Sequence, residues 1–257
     1  MSIHWILLLV AAFAAGALNA IAGGGSFLTF PALVYSGVPA IAANATSAVA
    51  VSPGYLGSAL GFRAELAQLP RARLLREGLI CALGGVAGAL LLLVTPARVF
   101  AAIVPWLLLF ATALFALGPR LLAARTRRAG SDENTAPAEV HPLAQQMGLL
   151  AVAIYGGYFN GGLGILLMAL YTLTGEQNIH TANALKNLNS LVLSLLSVAA
   201  FAWAGAIHWS QALVMMVAAT AGGFWGARVA RRLPTVAVRT LVVVTGVVMA
   251  AVFFARS

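Results

Sequence analysis

The chain has 257 residues, of which 61% are hydrophobic and only 8% are charged, and its formal net charge is +9. Soluble domains carry about 25% charged residues, so this composition excludes a soluble globular protein and indicates that lipid is the solvent. The arginines lie in the gaps between apolar runs, where membrane topology places them, so no nucleic-acid binding is expected. The single cysteine, Cys81, excludes an intramolecular disulfide.

Ten apolar segments follow one another along the chain, five in each half. A helix needs roughly 20 apolar residues to cross the ~30 Å hydrocarbon core, and the second segment of each half covers only about half of that distance. These two short segments are predicted to be half-helices that begin inside the membrane. The predicted segments are 3–22, 26–37, 40–62, 74–94 and 98–118 in the first half, and 143–160, 164–174, 179–204, 210–230 and 234–255 in the second.

The two halves of the chain are copies of one unit. Gly25–Asn44 is matched by Gly164–Asn183, a stretch of equal length in which a glycine cluster again precedes a short apolar run, a polar turn and an Asn-Ala pair. Further along, Gly84–Gly88 corresponds to Gly222–Gly226. We therefore expect a first transmembrane repeat over residues 1–118, a polar basic linker over 119–142 and a second transmembrane repeat over 143–257.

The positions of the arginines decide how the predicted segments are oriented. If both short segments return the chain to the other side, the basic loops at 63–76, 120–128 and 228–232 all lie on one face, as the positive-inside rule requires. Each half then crosses the membrane an odd number of times, so the two repeats are inverted relative to each other. We expect an all-α membrane protein of two inverted repeats, each with about four full transmembrane helices and one half-helix or re-entrant segment, and with cytoplasmic basic loops.

The start of each half-helix is a predicted anion site. A helix that begins inside the membrane leaves its first backbone N–H groups unsatisfied and carries a partial positive charge there, and glycines let a ligand approach those groups closely. The first start follows Gly24, Gly25 and Ser26, and the second follows Gly162 and Gly164. Inversion would point the two starts at each other near the midplane. The alternative is that the glycines only allow close packing.

Lys186 is the only lysine in the chain and lies within an apolar segment. Its insertion costs roughly 2.5–3.5 kcal/mol on biological scales, so an intramembrane lysine is a functional hypothesis by default. We expect its helix face to line a cavity or the repeat interface; the alternative is that the lysine extends to the membrane surface and its polar neighbours join helices. The polar side chains on this face recur at helical spacing: Asn183, Lys186, Asn187, Ser190, Ser194 and Ser197.

The corresponding segment of the first half offers amide and hydroxyl groups instead of a cation. There Asn44 and Ser47 occupy the positions of Asn183 and Lys186, with Thr46 alongside, while Asn19 and Asn160 lie beside the two glycine clusters. Anion binding and helix–helix contact are both open for these residues. The predicted substrate-binding residues are Gly24, Gly25, Ser26, Asn44, Thr46, Ser47, Asn160, Gly162, Gly164, Asn183, Lys186 and Asn187.

No cluster in the sequence is typical of catalysis or of metal binding. The four histidines are scattered, and Glu77 and Glu176 lie near segment ends, where solvation is expected. We therefore expect no enzymatic activity, no cofactor and no metal. The small-residue spacings at Gly57–Gly61, Gly84–Gly88 and Gly222–Gly226 are typical of close helix packing.

Two linked motifs resemble those of a known family. Ala22-Gly-Gly-Gly-Ser-Phe-Leu-Thr-Phe-Pro-Ala-Leu, followed by Asn44-Ala-Thr-Ser47, is similar to the first signature of the sulfite exporter TauE/SafE family. Gly156-Gly-Tyr-Phe-Asn-Gly-Gly-Leu-Gly164, followed by Ala182-Asn-Ala-Leu-Lys-Asn187, is similar to its second signature. The resemblance spans essentially the whole chain. It implies a permease of the cell inner membrane for sulfur-containing anions such as sulfite, sulfoacetate or other organosulfonates, often in the export direction.

The resulting hypothesis is a secondary transporter whose inverted halves rock around a midplane anion site. Export of sulfite or an organosulfonate is the leading expectation, and an uptake permease or an anion channel for another small anion is the alternative. The expected partners are the small anionic substrate and the lipid bilayer, and the sequence leaves a homo-oligomer open.

Overall fold

The computed structural model describes residues 3–22, 24–129, 142–176, 178–229 and 235–256, and all regular secondary structure within these ranges is α-helix. The helices are α1 (Ile3–Ala22), α2 (Ser26–Tyr35), α3 (Ala40–Gly61), α4 (Arg63–Ala67), α5 (Arg71–Val94), α6 (Ala97–Ala129), α7 (Pro142–Tyr158), α8 (Leu163–Leu173), α9 (Ile179–Trp203), α10 (Trp209–Val229) and α11 (Thr235–Arg256).

Most helix bounds lie within three residues of the predicted segments. The two short segments are α2, with 10 residues, and α8, with 11. The helix α4 is not predicted by hydropathy because it is short and polar. The backbone of α6 continues to Ala129, into the region predicted as a linker. The rest of that region, 130–141, lies outside the described residues, as do Gly23 and the arginines of the loop 230–234.

The apolar helices place the protein in a membrane. Within the described part of the chain, α5, α9 and residues 97–114 of α6 are long and apolar enough to cross a bilayer. Shorter apolar helices are found at Ile3–Asn19, Ser26–Tyr35, Leu163–Leu173 and Val243–Phe254. Large apolar side chains on the outside of these helices, such as Leu83 and Val94, are well exposed, as a lipid-facing surface requires.

Both half-helices end in the same way. Gly37 after α2 and Gly175 after α8 have left-handed φ angles of 90° and 96°. In each case the amide of the following residue reaches back to a carbonyl in the last turn, as when the amide of Glu176 donates to the carbonyl of Tyr171 at 2.9 Å. This is the glycine-terminated helix end that satisfies otherwise unpaired carbonyl groups. The recurrence of this helix end in both halves agrees with the duplication seen in the sequence.

Glycines bring two pairs of helices into backbone contact, α5 with α7 and α1 with α10. A Cβ atom added at Gly88 would lie 2.7 Å from the backbone nitrogen of Tyr158, and one added at Gly222 would lie 2.8 Å from the Cα atom of Phe13. A real Cβ atom essentially never lies this close to a backbone atom, so only glycine fits at these two positions without a shift of the helices. Each pair joins one helix of the first half to one helix of the second.

The prediction of close packing is therefore confirmed for Gly84–Gly88 and for Gly222, and it is wrong for Gly57–Gly61. Gly84 and Gly88 face α7, and Gly222 faces α1. Gly57 and Gly61 have no atom within 4 Å of an added Cβ, because this side of α3 does not face another described helix. The surroundings of Gly226 lie outside the described residues.

A Gly88→Ala substitution is expected to destabilise the protein by about 1–3 kcal/mol, because the added methyl group must push α5 away from α7. Thermal unfolding of the purified protein in detergent measures this effect. Gly57→Ala is the matched control: the space beside Gly57 is open, and alanine favours helix over glycine by about 1 kcal/mol. Equal unfolding temperatures for the two variants would contradict the packing.

Candidate functional site

The run of helices is interrupted between α1, which ends at Ala22, and α2, which begins at Ser26, and again at residues 159–162 between α7 and α8. The two interruptions meet inside the protein. The hydroxyl of Ser26, the first residue of α2, donates to Oδ1 of Asn160 at 3.4 Å, and both residues are buried. The predicted start of α2 is confirmed, while α8 begins at Leu163, one residue before the predicted Gly164.

Asn160 is the centre of a buried group of polar side chains. Its Oδ1 also accepts a hydrogen bond from the hydroxyl of Tyr55, on α3, at 3.1 Å. On the opposite side, Oδ1 of Asn19 accepts from the backbone N–H of Gly25 at 3.4 Å. These five residues, Asn19, Gly25, Ser26, Tyr55 and Asn160, are the central polar cluster.

Neither half-helix has a side-chain cap at its start, because the N-cap residues are Gly25 and Gly162. Gly162 has a left-handed φ of 79°, and an added Cβ would lie 2.9 Å from the Cβ atom of Ala111 in α6. A side chain at this position is therefore both strained and obstructed. The starts of both half-helices, each with the partial positive charge of a helix N-terminus, therefore lie in the same buried region.

Two predicted residues of α3 hold the helices around this region. The amide of Asn44 donates to the backbone oxygen of Tyr158, at the end of α7, at 3.0 Å. The hydroxyls of Ser47 and Thr29 are 2.6 Å apart and join α3 to α2. Thr46 points elsewhere and accepts from the backbone N–H of His208 at 3.0 Å. Among the predicted residues of α3, Asn44 and Ser47 therefore border the site and Thr46 does not.

The predicted residues of α9 are not joined to the central polar cluster. The amine of Lys186 donates to Oδ1 of Asn183 at 3.1 Å, and Asn183 donates to Ile179 of its own helix. No hydrogen bond between Asn183, Lys186 or Asn187 and the cluster is present in the described ranges. The later part of the polar stripe joins helices, since Ser194 contacts Ser52 at 2.7 Å and Ser197 donates to the carbonyl of Gly85 at 3.0 Å.

The structure thus brings together Gly24, Gly25, Ser26, Asn160, Gly162 and Gly164, with Asn44 and Ser47 beside them. Their role in binding remains a prediction. Tyr55 was missed by the sequence reasoning, although a signal was available. Ser47 follows Asn44 by three residues and Tyr55 follows Ser47 by eight, so all three side chains lie on one face of α3.

A second buried group of polar side chains lies at the other end of α8, and it shows that the expected solvation of Glu77 is wrong. Glu77 was expected to be solvated, but it is 4% exposed. Its Oε1 accepts from Nε of Arg73 at 2.9 Å, and its Oε2 accepts from the Tyr171 hydroxyl at 2.7 Å and from Asn189 Nδ2 at 3.1 Å. Nη2 of Arg73 also pairs with Oε2 of Glu176 at 3.0 Å. These five residues are the Glu77 network.

The family model described as sulfite exporter TauE/SafE matches residues 8–253. A probable membrane transporter protein of Haemophilus influenzae is 29% identical, with 95% of this chain and 92% of the relative covered. The probable membrane transporter protein ORF9 of a Sinorhizobium species is 28% identical, with 95% and 89% covered. The probable membrane transporter protein YfcA of Escherichia coli K12 is also 28% identical, with 95% and 87% covered.

No solved structure matches the chain. The family match nevertheless covers nearly every described helix, including both half-helices and the central polar cluster. The chain is a membrane protein and belongs to the sulfite exporter TauE/SafE family of transporters.

Proposed function

We propose that this protein is a secondary transporter of small sulfur-containing anions, sulfite or an organosulfonate, which exports them across the cell inner membrane by alternating access. The observation that carries the proposal is the contact between Ser26 and Asn160, which joins the starts of the two half-helices in one buried region. The family supplies the chemical class of the substrate.

The packing of the helices supports two repeats related by a twofold axis. If α4 is left out, the remaining five helices of the first half, α1, α2, α3, α5 and α6, correspond in order to α7, α8, α9, α10 and α11. When each helix is replaced by its counterpart, the contact of α1 with α10 becomes the contact of α7 with α5. The same exchange turns the contact of α2 with α11 into that of α8 with α6, and it leaves the contacts of α3 with α9 and of α6 with α11 unchanged. Such an exchange pattern, with an odd number of crossings in each half, is that of an inverted repeat.

The central polar cluster offers donors to an oxyanion without offering a competing charge. The hydroxyls of Ser26 and Tyr55 now donate to Asn160, and both can turn toward the oxygens of a sulfite or sulfonate group. The two helix starts add the partial positive charge of a helix N-terminus. Hydrogen bonds to a charged group are worth about 1.5–3 kcal/mol each, so a few such donors can replace the hydration of a singly charged anion.

Lys186 acts on the anion at a distance in this proposal. Its amine is bonded to Asn183 and makes no ion pair in the described part of the chain, so its charge is not neutralised by a carboxylate there. A partly buried positive charge raises the local concentration of anions. We assign it to attraction of the substrate along the pathway and not to direct contact in the cluster.

Anion flux through purified protein in proteoliposomes tests the proposal. Vesicles loaded with radiolabelled sulfite or methanesulfonate are expected to release either anion faster than protein-free vesicles, and to retain chloride. Stimulation of release by the same anion outside would indicate an alternating-access carrier, whereas flux that is insensitive to outside anion would indicate a channel. Wild-type protein that moves neither sulfur anion would overturn the proposed function.

Tyr55→Phe is expected to lower sulfite flux at sub-saturating concentration by about 10- to 100-fold, because it removes one hydrogen bond of about 1.5–3 kcal/mol to the anion. The phenyl ring keeps the packing, so expression and unfolding temperature should change little. Tyr35→Phe is the matched control, since Tyr35 is exposed at the end of α2. Flux that falls equally in both variants would exclude a specific role for Tyr55.

Lys186→Gln is expected to raise the KM for sulfite several-fold while the maximal rate changes little, because long-range attraction acts on encounter and not on the bound complex. Lys186→Arg keeps the charge and should keep the KM. The measurement is the initial rate of flux against sulfite concentration at low ionic strength, where screening is weak. If both variants lose maximal rate instead, Lys186 has a role inside the site.

A further inference from the structure

The carboxylate of Glu77 is surrounded by hydrogen-bond donors from three helices. Arg73 lies one turn before it on α5, Tyr171 is near the end of α8, and Asn189 is on α9. All three place an N–H or O–H group on its oxygens. A metal cation needs acceptor oxygens, so this surrounding does not suit one. The described residues also contain no group of three or more histidines, cysteines or acidic residues that could hold a metal ion.

The Glu77 network contains one more carboxylate than it contains cations. Arg73 is shared between Glu77 at 2.9 Å and Glu176 at 3.0 Å. When both carboxylates are ionised, the network therefore has a surplus of one negative charge. Such a surplus in surroundings of low dielectric constant favours the uptake of one positive charge.

The other ionisable groups on the helices packed against α5 do not balance this surplus. Cys81, one turn further along α5, is a buried free thiol. None of the remaining groups forms an ion pair or hydrogen bond with Glu77 among the described residues. They are Arg71 and Arg76 on α5, Tyr155 and Tyr158 on α7, and His180 and Lys186 on α9.

The matching positions of the other repeat are apolar. In the alignment that pairs the two halves, Met215 stands for Glu77, Ala32 for Tyr171 and Ala50 for Asn189. All three are buried in the main hydrophobic core. The corresponding helices of the other repeat thus pack with apolar side chains at these positions, so the helix arrangement does not require a carboxylate. A buried charged network is costly and is typical of a functional site in a membrane.

Asn189 carries an unused hydrogen-bond acceptor, which the Glu77 network needs once the carboxyl group is protonated. Its side chain is fully buried and points into the network, where its Nδ2 donates to Glu77 and also contacts the Tyr171 hydroxyl. Its Oδ1 has no hydrogen-bond partner in the described structure. If the amide turns over, Oδ1 can accept from Tyr171, whose oxygen can then accept from a protonated Glu77.

We propose that Glu77 is a proton-binding site that couples anion transport to the proton gradient. A hydronium ion in the adjoining water gives up a proton: one of its O–H bonds breaks, an O–H bond forms at Oε2 and a water molecule is left. The carboxylate becomes neutral, the hydrogen bonds through Tyr171 and Asn189 reverse direction, and no other covalent bond changes. This inference rests on the proposed transport function, and it adds the coupling ion.

The network has a route to water and a route to the anion site. The side chains of Glu176, Arg73 and Glu77 are 16%, 25% and 5% exposed, so Glu176 and Arg73 connect the buried carboxylate with the outside. Tyr171 lies near the end of α8, and the start of the same helix borders the central polar cluster. Neutralising Glu77 weakens its hold on Arg73 and Tyr171, which frees this end of α8 to move.

Two measurements on purified full-length protein test the inference. In the first, infrared spectra recorded over a range of pH are expected to show a protonated carboxyl band in wild-type protein that is lost in Glu77→Gln. In the second, sulfite flux into proteoliposomes is measured with and without a pH gradient at zero membrane potential. We expect the gradient to change wild-type flux more than Glu77→Gln flux, while exchange of sulfite without a gradient persists in the variant. The gradient alters the protonation of sulfite equally for both proteins, so the difference between their responses measures the contribution of Glu77.

Glu65→Gln is the matched control, because Glu65 lies in α4 and takes part in no ion pair among the described residues; it should behave as wild type in both measurements. An unchanged infrared band in Glu77→Gln overturns the inference even if no flux is measurable. Wild-type flux that ignores the pH gradient, or that follows a sodium gradient instead, also overturns it while leaving the proposed function intact. Absence of sulfite flux in wild type, with the band lost in Glu77→Gln, retains the proton site and refutes sulfite as the transported anion.

Discussion

The contact between two helix starts inside the protein is the constraint on which the rest of the structure depends. An unpaired backbone N–H group in hydrocarbon costs several kcal/mol, so a membrane helix can be interrupted only where other groups replace the missing bonds. Asparagine side chains do this here. Asn19 accepts from Gly25, Asn44 donates to the end of α7, and Asn160 gathers the hydroxyls that approach the second interruption. The surrounding helices hold these amides in place, and the result is a buried region rich in donors.

The sequence predicted the helices well because the bilayer imposes a length on each of them. The start of α2 at Ser26 and the short α8 follow from counting apolar residues and locating glycines. Which of the candidate site residues lie together is harder to predict from the sequence. Lys186 is a candidate for the same site because it is a cation inside an apolar segment. The direction in which its helix face points depends on the packing of the helices, and the local sequence pattern does not contain that information. Tyr55 could have been found from its spacing to Asn44, since both lie on one face of α3.

The Glu77 network lay beyond prediction for a different reason. Glu77 meets Tyr171 and Asn189 only because α5 packs beside α7 and α9, and those partners are about a hundred residues away along the chain. A glutamate near the end of an apolar segment has solvent as its default surroundings, and only the three-dimensional arrangement reverses this. The matched positions of the two halves differ here in chemistry. Glu77 is charged and its counterpart Met215 is apolar, and the shared helix arrangement does not account for this difference.

The glycine contacts also limit which parts of the molecule can shift. Gly88 on α5 and Gly222 on α10 each press against the backbone of a helix from the other half, so the halves are interlocked and cannot separate along the line that divides the sequence. Rocking of one complete half against the other, as the sequence-based hypothesis has it, would have to break these contacts. The tightest packing in the described structure is therefore shared between the halves, α5 with α7 and α1 with α10, and does not lie within either half alone.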